Sequence, residues 1–266
     1  MLRLRIVSLS PAVTETLVLL GLEDEIVGVT PWCRMYLNNP VGKEIAGTYL
    51  HVPIKKLRDL NPDIVFLQSR VHDKIFSDVK SAGFNAYLMP LPTNVSAIIS
   101  HIVLDVGSIV GRYYESRRLA EELLAKVVEI YNRFDGGRRP RIYVEYLWPD
   151  KTYSTGGALT FIDDGIWIAG GESIFHDTPK EFFNPRDEDI VAKNPDLILV
   201  NIEPPWESLT IDKYKEIRVP LSGSDAFKYN RILLVKETRD VNLAHFGPSF
   251  ISTIDWLSKT LRQYLR

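Results

Sequence analysis

One short unit occurs twice in this chain, and it restricts the available folds more than any other feature. Leu57-Arg58-Asp59-Leu60-Asn61-Pro62-Asp63-Ile64-Val65-Phe66-Leu67 is matched half a chain later by Ile190-Val191-Ala192-Lys193-Asn194-Pro195-Asp196-Leu197-Ile198-Leu199-Val200. Each copy reads as a short helix, a turn and an apolar strand. Proline is excluded from a helix interior and biases the residue before it away from the helical region, so Asn-Pro-Asp stops a helix and starts a strand. Apolar strands alternating with helices build parallel sheets. Two copies therefore predict an α/β fold of two Rossmann-like lobes with mainly parallel sheets.

The stretch Tyr113 to Phe134 stands between the copies. Tyr113, Ala120, Leu123, Leu124, Val127, Ile130, Tyr131 and Phe134 recur at spacings of three and four, which predicts a long helix with one apolar face. Glu122 precedes Lys126 by one turn, an orientation that supports a helix, and Asp135-Gly136-Gly137 closes it. The expected organisation is a first α/β lobe over 1–111, a spine helix over 112–136 and a second α/β lobe over 137–266. In the first lobe, strands are expected over 4–9, 25–29, 64–68 and 86–89, with helices over 12–20, 53–60, 72–82 and 95–110 and a loop over 32–49. In the second, strands are expected over 141–146, 197–201 and 231–236, with helices over 158–169, 187–193 and 248–265. Ligands of such sheets sit beyond the strand carboxyl ends, so a small-molecule cleft between the lobes is expected.

Charge and composition exclude several function classes. The formal net charge of −2 gives no electrostatic case for nucleic acid or an anionic membrane. No run approaches the ~18 apolar residues of a membrane span. The single cysteine, Cys33, excludes an intrachain disulfide framework. Met1 to Arg5 runs directly into a strand without the pattern of a leader. The expected location is therefore cytoplasmic if Met1 is the native start, and periplasmic or cell-surface if a leader has been removed. The five histidines show no paired ligand spacing, so no protein-held metal is expected, although His72, His176 and His245 near strand ends could each serve as an axial ligand. Nucleophile-elbow, P-loop and dinucleotide fingerprints do not occur.

Several stretches, taken in order, resemble the substrate-binding proteins of ABC importers for vitamin B12, haem and ferric siderophores. They are Arg5-Ile6-Val7-Ser8-Leu9-Ser10-Pro11 with Thr14-Glu15, then Leu20-Gly21-Leu22 and Val27-Gly28-Val29, the duplicated unit itself, Gly170-Gly171-Glu172-Ser173-Ile174-Phe175, and His245-Phe246-Gly247-Pro248. The resemblance covers nearly the whole chain and is nearest to the B12-binding-like branch. It implies two α/β lobes on one helical backbone, with a ligand in a shallow cleft between them.

The same resemblance assigns residues. It places Tyr49 where a first-lobe aromatic meets the ligand, and puts Gln68, Ser69 and Arg70 at the cleft after the repeat strand. Trp148 and Tyr153, then Phe182 and Phe183, are the second-lobe counterparts, with Trp32 and His245 as further candidates. Asp73 and Glu188 align with the acidic residues that meet the importer's membrane subunits. The implied function is binding of a metal-bearing macrocycle or chelate, cobalamin-like first and ferric siderophore or haem second, without chemistry and without a resident cofactor. The alternative is a cytoplasmic enzyme on a similar frame, such as a tetrapyrrole metal chelatase, which requires a base directed at the cleft.

Overall fold

The structure, a computed structural model, describes residues 4–264. The chain forms two compact units. Unit 1 runs to Pro92 and adds Ser96–Leu123 and His245–Pro248; unit 2 takes Thr93–Val95, Leu124–Ala244 and the chain from Ser249. The division falls inside the spine helix, and a four-residue segment near the end returns to the first unit.

Unit 1 is built on five parallel strands in the order β3-β2-β1-β4-β5. These are β1 (Ile6–Ser8), β2 (Ile26–Val29), β3 (Glu44–Ile45), β4 (Ile64–Gln68) and β5 (Ala86–Met89). Helices α1 (Pro11–Leu19), α2 (Ile54–Leu60) and α3 (Asp73–Ser81) connect them. The expected helix over 95–110 is present in three parts. Short α4 (Val95–Ala97) widens into a π-helical stretch, Ile98–Asp105, and narrows again into α5 (Val106–Ile109).

Unit 2 has the order β11-β10-β6-β7-β9. Strands β6 (Arg141–Leu147), β10 (Leu197–Ile202) and β11 (Ile232–Lys236) are parallel, while β7 (Tyr153–Gly156) folds back antiparallel on β6. The two-residue strands β8 (Glu172–Ser173) and β9 (Phe182–Phe183) pair with β6 and β7. Of the strands, β3, β7, β8 and β9 carry no alternating or continuous apolar run long enough to be read from sequence.

The duplicated unit has the same atomic basis in both copies. Helix α2 ends at Asn61 (φ 43°), and α8 (Asp187–Lys193) ends at Asn194 (φ 44°). Asparagine is one of the few residues with a side chain that visits this left-handed region routinely. The proline then forbids another turn. The aspartate pins the adjacent strand. The Asp63 carboxylate accepts the Arg5 N–H at 2.8 Å, and Asp63 N–H donates to the Arg5 carbonyl at 2.8 Å. Asp196 does the same with Arg141, at 2.8 and 2.7 Å. Removing a charged acceptor from a backbone N–H costs about 1–3 kcal/mol. Asp196→Ala is therefore expected to destabilise by that amount in urea unfolding, and more than Asp63→Ala, whose contact is more exposed.

The spine helix α6 runs Tyr113–Tyr131, slightly shorter than expected. Its buried line is Ser116, Ala120 and Ile130, whereas Tyr113, Leu124 and Tyr131 of the expected apolar face are exposed. The cause is close packing against α5: a Cβ on Gly107 would stand 2.2 Å from Ser116 Cβ. Small residues at that crossing rotate the helix so that Ser116 faces inward. Lys126 pairs with Glu129 at 2.9 Å rather than with Glu122. The remaining helices are α7 (Phe161–Ile168), α9 (Ile211–Ile217), α10 (Asp225–Lys228) and α11 (Phe250–Tyr264). Among the described residues, no helix is long and apolar enough to cross a membrane.

Candidate functional site

At the carboxyl end of the unit 1 sheet, three rings form a platform. Trp32 and Tyr49 stack with centroids 4.6 Å apart and planes inclined by 24°. Tyr49 leans on His72 at 6.1 Å. Trp32 remains 47% exposed, so a flat partner can reach it. His72 is buried and uses both ring nitrogens. Its Nδ1 accepts the Gln68 N–H at 3.0 Å, which leaves Nε2 to donate to the Thr48 carbonyl at 3.1 Å. Burial holds its pKa below the ordinary value of 6.5. Below about pH 6.5 the unfolded chain takes up a proton that folded His72 resists, because that proton would oppose the Gln68 N–H. The stability from neutral His72 is thus complete above pH 6.5 and is lost as pH falls towards the folded-state value. His72→Gln should shrink the drop in melting temperature between pH 7.5 and 5.5; an unchanged drop would refute this.

The three polar residues at the end of β4 and just beyond it separate. Gln68 is buried, accepting from Ser10 Oγ at 3.0 Å and donating to the Met89 carbonyl at 3.4 Å. Ser69 Oγ accepts the Leu91 N–H at 2.8 Å. Arg70 is exposed with φ 72°, and its N–H donates to Asp73 Oδ1 at 2.9 Å. His245 is 5% exposed, with Nε2 2.7 Å from Glu15 Oε2 and its ring stacked on Tyr36 at 4.0 Å. Gln68 and His245 are thus both buried within unit 1, each held by a side chain of α1 or its cap.

In unit 2 the β6–β7 hairpin carries the candidates. Trp148 is 42% exposed and donates from Nε1 to Ser154 Oγ at 3.0 Å across the hairpin. Trp206 Nε1 donates to the Trp148 carbonyl at 3.1 Å. Tyr153 and Trp206, with Lys151 and Lys213, line a cavity of about 560 Å³. Phe182 and Phe183 are adjacent on β9 and point to opposite sides. Phe182 stays 38% exposed beside Tyr146 and Phe161, whereas Phe183 packs on the core at Phe175.

Beneath the hairpin lies a charged cluster with no sequence signal. Arg218 is fully buried, its guanidinium carbon 3.4 Å from the Tyr153 ring centroid. Its Nε donates to Glu145 at 3.0 and 3.2 Å. Its Nη groups meet Glu145 at 2.9 Å and Asp187 at 2.8 Å, off the line of a hydrogen bond. Tyr143 donates to Glu145 at 2.9 Å. Burial pushes Glu145 up against the opposing pull of Arg218; burial also works against the Arg218 charge, but Glu145 holds it above its ordinary value. A second acidic pair sits at the carboxyl ends of β10 and β11, where burial raises Glu203 and, with Glu203 beside it, raises Glu237 to about 7.

Asp73 and Glu188 are both exposed. They do not occupy equivalent places in the duplication, since Asp73 follows β4 and Glu188 precedes β10. The residue that matches Asp73 in the second copy is Trp206. His176 is held by Asp163 at 2.9 Å and stacked by Trp167 at 5.5 Å. Among the described residues no group of three or more His, Cys, Asp or Glu side chains converges as a metal site.

Two parallel-sheet α/β units that share one long helix, with aromatic side chains at the strand carboxyl ends, define the class of bilobal solute receptors on a helical backbone. Residues 6–227 match the family model described as periplasmic binding protein, and the chain belongs to that family. A cobalamin-binding protein of Halobacterium salinarum is 25% identical over 204 residues, covering 74% of this chain and 54% of the relative, so this chain spans about half of that protein's length. An uncharacterised ABC transporter substrate-binding lipoprotein of Bacillus subtilis is 25% identical over 273 residues, covering 97% of this chain and 79% of the relative. A periplasmic haem-binding protein of Roseiflexus in apo form superposes with a TM-score of 0.83 at 21% identity, covering 98% of this chain and 99% of that one.

Proposed function

We propose that the chain binds a flat, metal-bearing macrocycle or chelate, a corrinoid first and haem or a ferric siderophore second, as the substrate-binding component of an ABC importer. The observation that carries this reading is the Trp32–Tyr49 stack supported on His72. Rings held by rings offer apolar area at little entropic cost, which suits a planar ligand. Trp148, Tyr153 and Phe182 are the contacts proposed in unit 2, and Ser69 and Arg70 the polar anchors in unit 1. The names of the halobacterial and Roseiflexus proteins, one cobalamin-binding and one haem-binding, support the ligand class. Asp73 and Glu188 are proposed to meet the importer's membrane subunits.

The binding reading is favoured over a chelatase because the histidine beside the platform spends both nitrogens on backbone groups. A base so engaged cannot take a pyrrole proton. The test is titration of the purified chain with cobalamin, haemin and a ferric hydroxamate, following tryptophan quenching and the ligand's visible spectrum. Saturable one-to-one binding of any of them is expected. Binding of none would overturn the proposal, and catalytic metal insertion into a porphyrin would transfer it to the enzyme.

A further inference from the structure

A cavity of about 410 Å³ opens at the amino end of β6, within unit 2. Three segments line it: the loop from Arg133 to Pro140 that leads into β6, the turn at Ala169 and Gly170 after α7, and one face of α11. Gly170 ends α7 with φ 97°, and a Cβ there would stand 3.2 Å from the Phe134 ring. The seven residues of β6, at ~3.3 Å each, keep this cavity roughly 20 Å from the aromatic hairpin at the other end of the strand.

The charges around the cavity are unevenly matched. Arg133 is held by Glu129 and Asp255. Arg138 spends Nη2 on the two oxygens of Asp196, at 3.1 and 2.8 Å. Arg262 donates to the Arg133 carbonyl, and among the described residues it has no carboxylate partner. Ser258, one turn earlier on α11, provides the second observation. It is 2% exposed and lines the cavity, and among the described residues its hydroxyl has no hydrogen-bond partner. A buried hydroxyl left unpaired is costly, and an acceptor in the cavity would remove that cost.

We propose that this cavity binds an organic monocarboxylate with an apolar body, its carboxylate received by Ser258 and Arg262. Residues four apart share a helix face, so the hydroxyl and the guanidinium can meet one anion. The planar fork of a guanidinium matches the two oxygens of a carboxylate. Phe134, Pro140 and Leu261 suit an apolar body and give nothing to a hydrated inorganic ion. Asp135 also lines the cavity and repels a second negative charge, which restricts the ligand to a monoanion. The site does not depend on the macrocycle reading.

The test is isothermal titration of the full chain with octanoate and with benzoate, each beside its alcohol, octanol or benzyl alcohol. Saturable one-to-one binding of at least one acid is expected, and the tighter of the two tells whether the body is a chain or a ring. The matching alcohol keeps the body and loses the charge, and should bind at least tenfold more weakly. Arg262→Gln should weaken binding of the acid at least tenfold, and Arg262→Lys, which keeps the charge without the fork, should lose less. Arg117→Gln, on the spine helix, should bind as the parent does. If Arg262→Gln does not fold, Ser258→Ala, which removes one oxygen, localises the site instead, with an expected loss of about threefold or more. No saturable binding of either acid, equal affinity for acid and alcohol, or parent-like binding by Arg262→Gln and Ser258→Ala would overturn the proposal.

Discussion

Arg218→Ala is expected to destabilise the protein by about 3–5 kcal/mol, the cost of leaving a buried partner charge uncompensated. Arg218 and Glu145 are both fully inaccessible, and Asp187 closes the other side of the guanidinium. Removing the cation strands Glu145 in a site that already opposes its ionisation, and it leaves the Tyr153 ring without the group stacked on it. The double variant Arg218→Met with Glu145→Leu should lose less than Arg218→Ala alone, since a buried ion pair replaced by apolar groups of similar volume is often near neutral. Equilibrium urea unfolding measures both. A loss below about 1 kcal/mol for Arg218→Ala would show that water enters the cluster and that the burial described here does not hold in solution.

The second large effect concerns the ligand. Tyr49→Ala should weaken macrocycle binding about tenfold or more, whereas Tyr49→Phe should stay within about threefold. Stacked aromatic area carries the interaction, at ~25 cal/mol per Å² of buried apolar surface plus about 0.5–1.5 kcal/mol for ring geometry. The phenylalanine variant keeps nearly all of that area. Alanine also releases Trp32 from its stacking partner, so the loss includes the platform's order as well as one contact. Isothermal titration with the ligand that proves to bind provides the measurement, with an unfolding curve to show that the fold is retained. Wild-type affinity in Tyr49→Ala would mean the ligand lies elsewhere on the protein.

Legibility followed the range of the interactions. The Asn-Pro-Asp unit was readable because each letter acts within a few residues: the left-handed cap at Asn61 and Asn194, the helix stop at Pro62 and Pro195, the strand start that follows. The strands β1, β4, β6 and β10 were readable as apolar runs because both faces of each are covered, and β11 was readable as an apolar run although it is partly exposed at the sheet edge. Strands β7 and β9 were not, since they exist only through pairing with β6 and with each other. The long helix was readable from its period, but its inward face was set by Gly107 against Ser116, a contact its own periodicity cannot encode.

The site divides in the same way. Trp32 and Tyr49 could be named as candidate contacts from the resemblance, yet their stacking, and the support from His72, required the chain to bring three separate segments together. His245 is tied to Glu15 across most of the chain's length, a contact that no local pattern encodes. Arg218 with Glu145, and Glu203 with Glu237, left no trace in the sequence, because an isolated arginine or glutamate reads as a surface residue until its burial is known. Two α/β repeats and a connecting helix can be read from the residues alone, since backbone propensity and apolar period are local properties. Which charges are buried and which rings meet emerges on folding, because both depend on residues far apart in the chain.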